Sequence, residues 1–136
     1  MSVLATFALR KAVRAALSLH PELLAELGGA RIFEEAPRGT APPYVTFGDG
    51  QWRDWSSATE RGGQQTLTLD VWTDHRGTRK ALAIAERIAA ALDGAALTLE
   101  GHRLIDLRLD AMETRREGAG RLARATLRFR ATTETI

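Results

Sequence analysis

Three segments of the chain alternate apolar and polar residues with a period of two: residues 64–73, 102–114 and 122–132. Successive side chains of a strand point to opposite faces, so this pattern predicts strands with one buried and one polar face. The apolar positions of the last two segments are Ile105, Leu107, Leu109 and Ala111, and then Ala123, Ala125, Leu127, Phe129 and Ala131. The chain must therefore cover one face of a mainly antiparallel sheet with other elements.

Two helical segments can provide that cover. Residues 79–93 place apolar side chains three and four positions apart, and residues 3–19 form a second amphipathic stretch. A short helix at 21–27 and short strands at 31–34 and 44–47 complete the pattern, while 51–63 reads as a long loop or a strand that leaves the sheet. We predict one α+β domain spanning residues 1–136, in the order α-α-β-β-β-α-β-β, with two helices on one face of the sheet.

The composition excludes several classes of chemistry. The chain has no cysteine, which removes disulfides, thiol nucleophiles and cysteine zinc sites. His20, His75 and His102 are scattered, no two at metal-ligand spacing, and are expected to be exposed. We therefore predict no catalytic residues, no cofactor and no metal. No apolar run is long enough for a membrane span or a signal peptide, so we expect a protein of the bacterial cytoplasm or of a particle assembled there.

Arginines follow one face of the last predicted strand, at Arg124, Arg128 and Arg130. Such a face could bind nucleic-acid phosphates. Asp106 and Asp110 interleave on the neighbouring strand, however, and cross-strand ion pairs would neutralise the arginines. The pattern favours the neutralised face and leaves nucleic-acid binding as the alternative.

Two features of the sequence are candidate interfaces with other proteins. Leu4 and Phe7 lie on the basic side of the first helix, where they either tuck into the core or pack on a neighbouring subunit. The tryptophans Trp52 and Trp55 stand in an otherwise polar stretch, where they either dock a partner or cover the edge of the sheet.

A third candidate is the predicted hairpin tip at 112–121. It carries Arg115, Arg116 and Arg121 beside flexible glycines. The tip is either merely solvated or, as we hypothesise, adds specificity to docking through charge.

Seven pieces of the chain, in this order, resemble the tail-terminator or tail-completion proteins of long-tailed phages. They are residues 9–17, 28–33, 42–48, 67–72, 81–92, 97–102 and 127–131. The alanine- and arginine-rich version is similar to the member found in gene transfer agents, phage-like particles that carry host DNA.

This resemblance implies a structural role without catalytic residues. Proteins of this kind form a hexameric ring at the head-proximal end of the tail tube, where they stop tube growth and contact the head connector. The implied partners are further copies of the chain, the tube protein and the connector or stopper, with DNA passing through the ring. A stopper, a tube subunit or a nucleic-acid-binding module remain the alternatives.

Overall fold

The computed structural model describes residues 2–74 and 78–136, with side chains from residue 5 onward. Its elements are α1 (Ser2–Ser18), α2 (Pro21–Leu27), β1 (Ile32–Phe33), β2 (Tyr44–Phe47), β3 (Gln51–Asp54), β4 (Gly62–Thr73), α3 (Arg79–Leu92), β5 (Thr98–Leu99), β6 (His102–Glu117) and β7 (Leu122–Thr135). The predicted α+β class and element order are confirmed, with β3 and β5 as additional short strands. Within the described ranges, no helix has the length and apolar character needed to cross a membrane.

The sheet is built around the long strands β4 and β7. Its strand order is β1-β2-β4-β7-β6-β5, with β3 also paired to β4. All pairs are antiparallel except β1 with β2. β4 and β7 stay in register from Gly62 opposite Glu134 to Thr73 opposite Ala123, and this pairing forms the rigid centre of the molecule.

One face of the sheet, here called the inner face, packs against α1 and α3. The apolar stripe predicted on α3 is fully buried, as are the five inward positions predicted on β7. They join α1 and α2 in a single hydrophobic cluster. Burying a large aliphatic side chain contributes about 1.5–3 kcal/mol, so this cluster supplies most of the stability of the fold.

β3 corrects the prediction for residues 51–63. The segment is neither a long loop nor a strand that leaves the sheet, because Gln51–Asp54 pairs with residues 63–66 of β4. Gly48 and Gly50 lie between β2 and β3 and pass close to β4. A Cβ on Gly48 would lie 2.8 Å from Asp70 Oδ2, and one on Gly50 would lie 3.0 Å from the Thr66 carbonyl oxygen. Because the chain bends between β2 and β3, the alternation of residues did not show that both strands pair with β4.

Two bulges in β6 correct the predicted face of Ile105 and Ala111. The register against β7 shifts between Leu104 and Asp106, and again between Leu109 and Ala111. Each extra residue reverses the alternation that follows it. Ile105 and Ala111 are therefore exposed rather than inward. The inward apolar residues of this strand are Leu104, Leu107, Leu109 and Met112.

The outer edge of β6 is paired over only part of its length. β5 pairs with its first two residues, and the end of α3 supplies two further hydrogen bonds. Gly94 N donates to Leu107 O at 2.7 Å, and Leu109 N donates to the Asp93 carboxylate at 2.9 Å. Beyond Leu109, β6 runs to the hairpin turn as an edge strand among the described elements.

Candidate interaction surfaces

The outer face of the sheet carries the arginines of β7, and these are paired with carboxylates. Arg128 lies 3.1 Å from Glu113, Arg130 lies 4.0 Å from Asp110, and Arg124 contacts both Asp70 and Glu117 at 3.6–3.8 Å. The face is neutralised as predicted, but Asp106 takes no part, because it pairs with Arg108 on its own strand; Asp70, Glu113 and Glu117 act beside Asp110. A nucleic-acid phosphate would have to compete with these carboxylates for the arginines.

An aromatic cluster supports one end of the same face. Phe33, Tyr44 and Trp72 follow one another across the strands, with ring centroids 6.2 and 6.4 Å apart. The guanidinium of Arg124 lies 5.1 Å from the centre of the Trp72 ring, and Trp72 Nε1 donates to Thr46. These contacts hold Arg124 in place. They also cover the Trp72 ring with Arg124, so the ring is not open for stacking with a nucleic-acid base.

Trp52 lies on β3, partly buried against β4. Its indole ring covers Gly63, where an added Cβ would collide with the ring. Trp52 also borders a polar cavity of about 200 Å³ together with Ala5 of α1 and His102. The structure thus places Trp52 as a cover for the β3–β4 pair.

His102 lines that cavity and is only 6% exposed, which corrects the expectation that the histidines are exposed. Burial lowers the pKa of His102, because an imidazolium loses hydration there. His20 is half-buried and caps α2 by accepting from Leu23 N, while His75 lies outside the described residues. Sequence reasoning missed the burial of His102 because the residue stands beside a turn.

Trp55 lies one residue beyond β3 and is 65% exposed. It lines a groove of about 520 Å³ with Ile105, which is 50% exposed in the first bulge of β6. Sequence reasoning singled out Trp55 but missed Ile105. The adjacent pair Leu104 and Ile105 carried a signal, because neighbours on a regular strand cannot both face the core.

The hairpin tip is exposed and basic. Arg115 lies 3.5 Å from Glu117, whereas Arg116 and Arg121 form no ion pair with any described residue. The turn uses Gly118, Ala119 and Gly120 at positive φ, which closes the hairpin tightly. The structure therefore holds the three arginines at the turn end of the β6–β7 hairpin, where β7 extends one residue beyond its pairing with β4.

Phe7 is 64% exposed on α1, so it does not tuck into the core. Leu4 lies in α1, but its side chain lies outside the described residues. Exposure of this kind fits a surface that another molecule covers. The interface role of all seven candidate residues remains a hypothesis.

Within 2–74 and 78–136, no three His, Asp or Glu side chains come together as a metal site. The guanidinium of Arg87 has a raised pKa because it donates to Glu22 and Glu26, which fastens α2 to α3. The remaining candidate regions described above are surfaces: Phe7 on α1, the groove of Trp55 and Ile105, and the hairpin tip.

Comparison with known proteins agrees with that conclusion. A family model described as Tail completion protein gp17 matches residues 11–134, most of the chain. The chain belongs to this tail completion protein family. The family resemblance predicted from the sequence is thereby confirmed, and the protein is a structural component of the tail of a phage-like particle.

Solved structures extend the comparison for this tail completion protein. A chain in the virion of a native gene transfer agent particle is 32% identical, with a TM-score of 0.88 over 95% of this chain and 96% of its own. A second solved chain is 13% identical, with a TM-score of 0.52 over 96% and 95%, and shows a likeness of fold alone. No curated protein sequence matches the chain. The predicted similarity to the gene transfer agent member is confirmed.

Proposed function

We propose that the protein forms a closed ring of six copies at the head-proximal end of the tail. There it ends growth of the tail tube and joins the tail to the connector or stopper of the head. The match of residues 11–134 to the tail completion family carries this proposal. The relative in the gene transfer agent virion supports it, because that chain is similar over nearly its whole length.

The surfaces of the molecule suit this role. A ring subunit that also meets a tube and a connector needs several exposed contact regions. Phe7, Trp55 with Ile105, and the basic hairpin tip supply three of them at separate places. In this proposal DNA passes through the ring without specific binding, and the arginines of the outer face already have carboxylate partners.

The role requires neither catalysis nor a cofactor, and we infer that the protein is a single tail-terminator-like domain and not an enzyme. The alternatives are another joining ring, such as a stopper, or a tube subunit. A tube subunit would add to its own ends without limit, whereas a terminator must close. The nucleic-acid-binding alternative is disfavoured by the ion pairs of Arg124, Arg128 and Arg130.

The native mass of the protein, alone and mixed with tube protein, tests the proposal. Six copies of the 14.9 kDa chain form a ring of about 89 kDa, and this mass should persist on the end of tube polymers. Particles that lack the protein should show tails of uncontrolled length and unjoined heads. Filaments formed by the protein alone would instead identify a tube subunit.

A control separates the nucleic-acid-binding alternative. Replacement of Arg128 and Arg130 by Gln should leave binding to DNA unchanged at every salt concentration. If the arginines bound phosphate, the two substitutions would weaken binding and reduce its salt dependence by about one ion for each arginine replaced.

A further inference from the structure

The two ends of β7 carry unpaired charges of opposite sign. At the end where β7 begins, the hairpin tip presents Arg116 and Arg121, which have no ion-pair partner among the described residues. The tip has two acidic residues: Glu113 pairs with Arg128, and Glu117 is shared by Arg115 and Arg124. Three arginines against two glutamates leave the tip, residues 112–121, with a net positive charge.

At the other end of β7 lies the groove of Trp55 and Ile105, here called the Trp55 groove. Asp54, Glu60, Arg61 and Glu134 also line it. Arg103 pairs with Glu134, and Ser56 donates to Asp54 at 2.7 Å. Asp54 and Glu60 have no cationic partner in the described part of the chain, so they outweigh Arg61 and the groove is a net anion.

The size of the groove fits a tight turn. Its volume of about 520 Å³ lies within the range of pockets that bind a small ligand, and Trp55 and Ile105 give it two apolar lining residues. The turn formed by Gly118, Ala119 and Gly120 is narrow and carries only one methyl group. An apolar centre with charges at the rim is the usual arrangement of a protein interface.

The tip cannot reach the groove of its own chain. β7 is 14 residues long, which separates the two by roughly 43 Å of rigid strand. The complementary surfaces also differ from each other, so a contact between them joins two copies head to tail. Repetition of such a contact closes into a ring when the rotation between copies allows it.

We propose that the hairpin tip of one copy docks in the Trp55 groove of the next copy. The turn at Ala119 enters between Trp55 and Ile105, and Arg116 and Arg121 face Asp54 and Glu60 across the contact. The inference rests on the self-association in the proposed function and adds to it the surface that the copies use.

Paired cysteines test this contact directly, because the natural chain has none. Ala119→Cys and Ser57→Cys, combined in one chain, place one thiol on the tip and one in the groove. A short bismaleimide should link these variants into a ladder of dimers, trimers and higher species that ends at the ring number. The reaction is run on the purified protein and on assembled particles.

A matched pair of cysteines provides the control. Arg38→Cys is exposed on the loop before β2, so its combination with Ala119→Cys should give only background products. A ring of six without the specific ladder would overturn the contact and leave the proposed function standing. Absence of any oligomer, in solution and in particles, would overturn both.

Charge exchange gives a second measurement. Arg121→Glu and Glu60→Arg should each weaken self-association by about fivefold, as expected for an exposed pair made repulsive. Combined in one chain, the two changes exchange the charges and should restore most of the loss. Additive loss in the combined variant would contradict a direct contact between these surfaces.

Discussion

The indole ring of Trp52 lies across Gly63, its diagonal neighbour on the paired strands β3 and β4. A Cβ built on Gly63 would overlap the Nε1, Cε2 and Cζ2 atoms of the ring. Gly63 thus leaves the space that Trp52 fills, and the aromatic ring covers backbone that glycine would otherwise expose. This relationship fixes β3 against the centre of the sheet.

Gly63→Ala should therefore lower the free energy of unfolding. The new methyl group displaces the Trp52 ring, and overpacking of this kind costs about 1–3 kcal/mol. Urea unfolding measures the loss. In a Trp52→Ala background the same substitution should cost much less, because the colliding ring is gone, and an equal cost in both backgrounds would contradict the contact.

Phe7→Ser should weaken the ring and leave the monomer nearly unchanged. Phe7 is 64% exposed, so its removal should change the free energy of unfolding of the monomer by no more than about 0.5 kcal/mol. Analytical ultracentrifugation measures self-association, and urea unfolding measures stability. Leu9→Ala, at a fully buried position of the same helix, should instead cost about 2–5 kcal/mol.

A large loss of monomer stability in Phe7→Ser would place Phe7 in the core. Unchanged self-association would remove it from the ring interface.

Trp55→Ser should yield folded protein that fails in the particle. The side chain is 65% exposed and makes up one wall of the Trp55 groove, so the loss falls on contacts with other molecules. Electron microscopy of particles should show unjoined heads and tails or tails of uncontrolled length. Leu19→Ser removes a different exposed apolar residue and should leave joining normal.

Normal joining and tail length in particles with Trp55→Ser would exclude the groove as a docking surface. Trp52→Ser is unsuited to this test, because it also uncovers Gly63.

His102→Gln should reduce the dependence of stability on pH. The pKa of His102 is lowered in the folded protein by burial, so the unfolded chain takes up a proton more readily. The contribution of His102 to the free energy of unfolding is fully present above its pKa in the unfolded chain. It is lost as the pH falls through that value toward the lower pKa of the folded protein. Between about pH 7.5 and about pH 5.5, the urea midpoint of the natural protein should fall more than that of the variant.

Equal slopes in the two proteins would show that the imidazole of His102 titrates as freely in the fold as in the unfolded chain.

Periodicity predicted the elements that are regular and buried on one side. The stripe on α3 and the inward face of β7 follow strictly from spacing, because each residue keeps the phase of its element. Ile105 and Ala111 escaped prediction because a bulge changes the phase without any marker such as glycine or proline. β3 was not predicted as part of the sheet, because its pairing depends on β4, which lies further along the chain.

The candidate surfaces were only partly predictable for a related reason. Residue type marked Trp52 and Trp55 alike, yet one covers a glycine and the other is exposed. Trp52 belongs to β3 and lies against Gly63 of β4, whereas Trp55 lies one residue beyond the end of β3. Ile105 joins Trp55 only through the bulge, and the separation of tip and groove becomes visible only when the length of β7 is known.

The interrupted edge of β6 has a consequence for the chain before it is assembled. Long, regular edge strands invite pairing with other chains and lead to amyloid-like aggregates. The bulges at Ile105 and Asp110 break the even spacing of donors and acceptors along this edge, and the charged residues beside them oppose close approach by another strand. The edge of β6 therefore offers an approaching strand few evenly spaced donors and acceptors, which lowers the tendency of separate copies to aggregate through it.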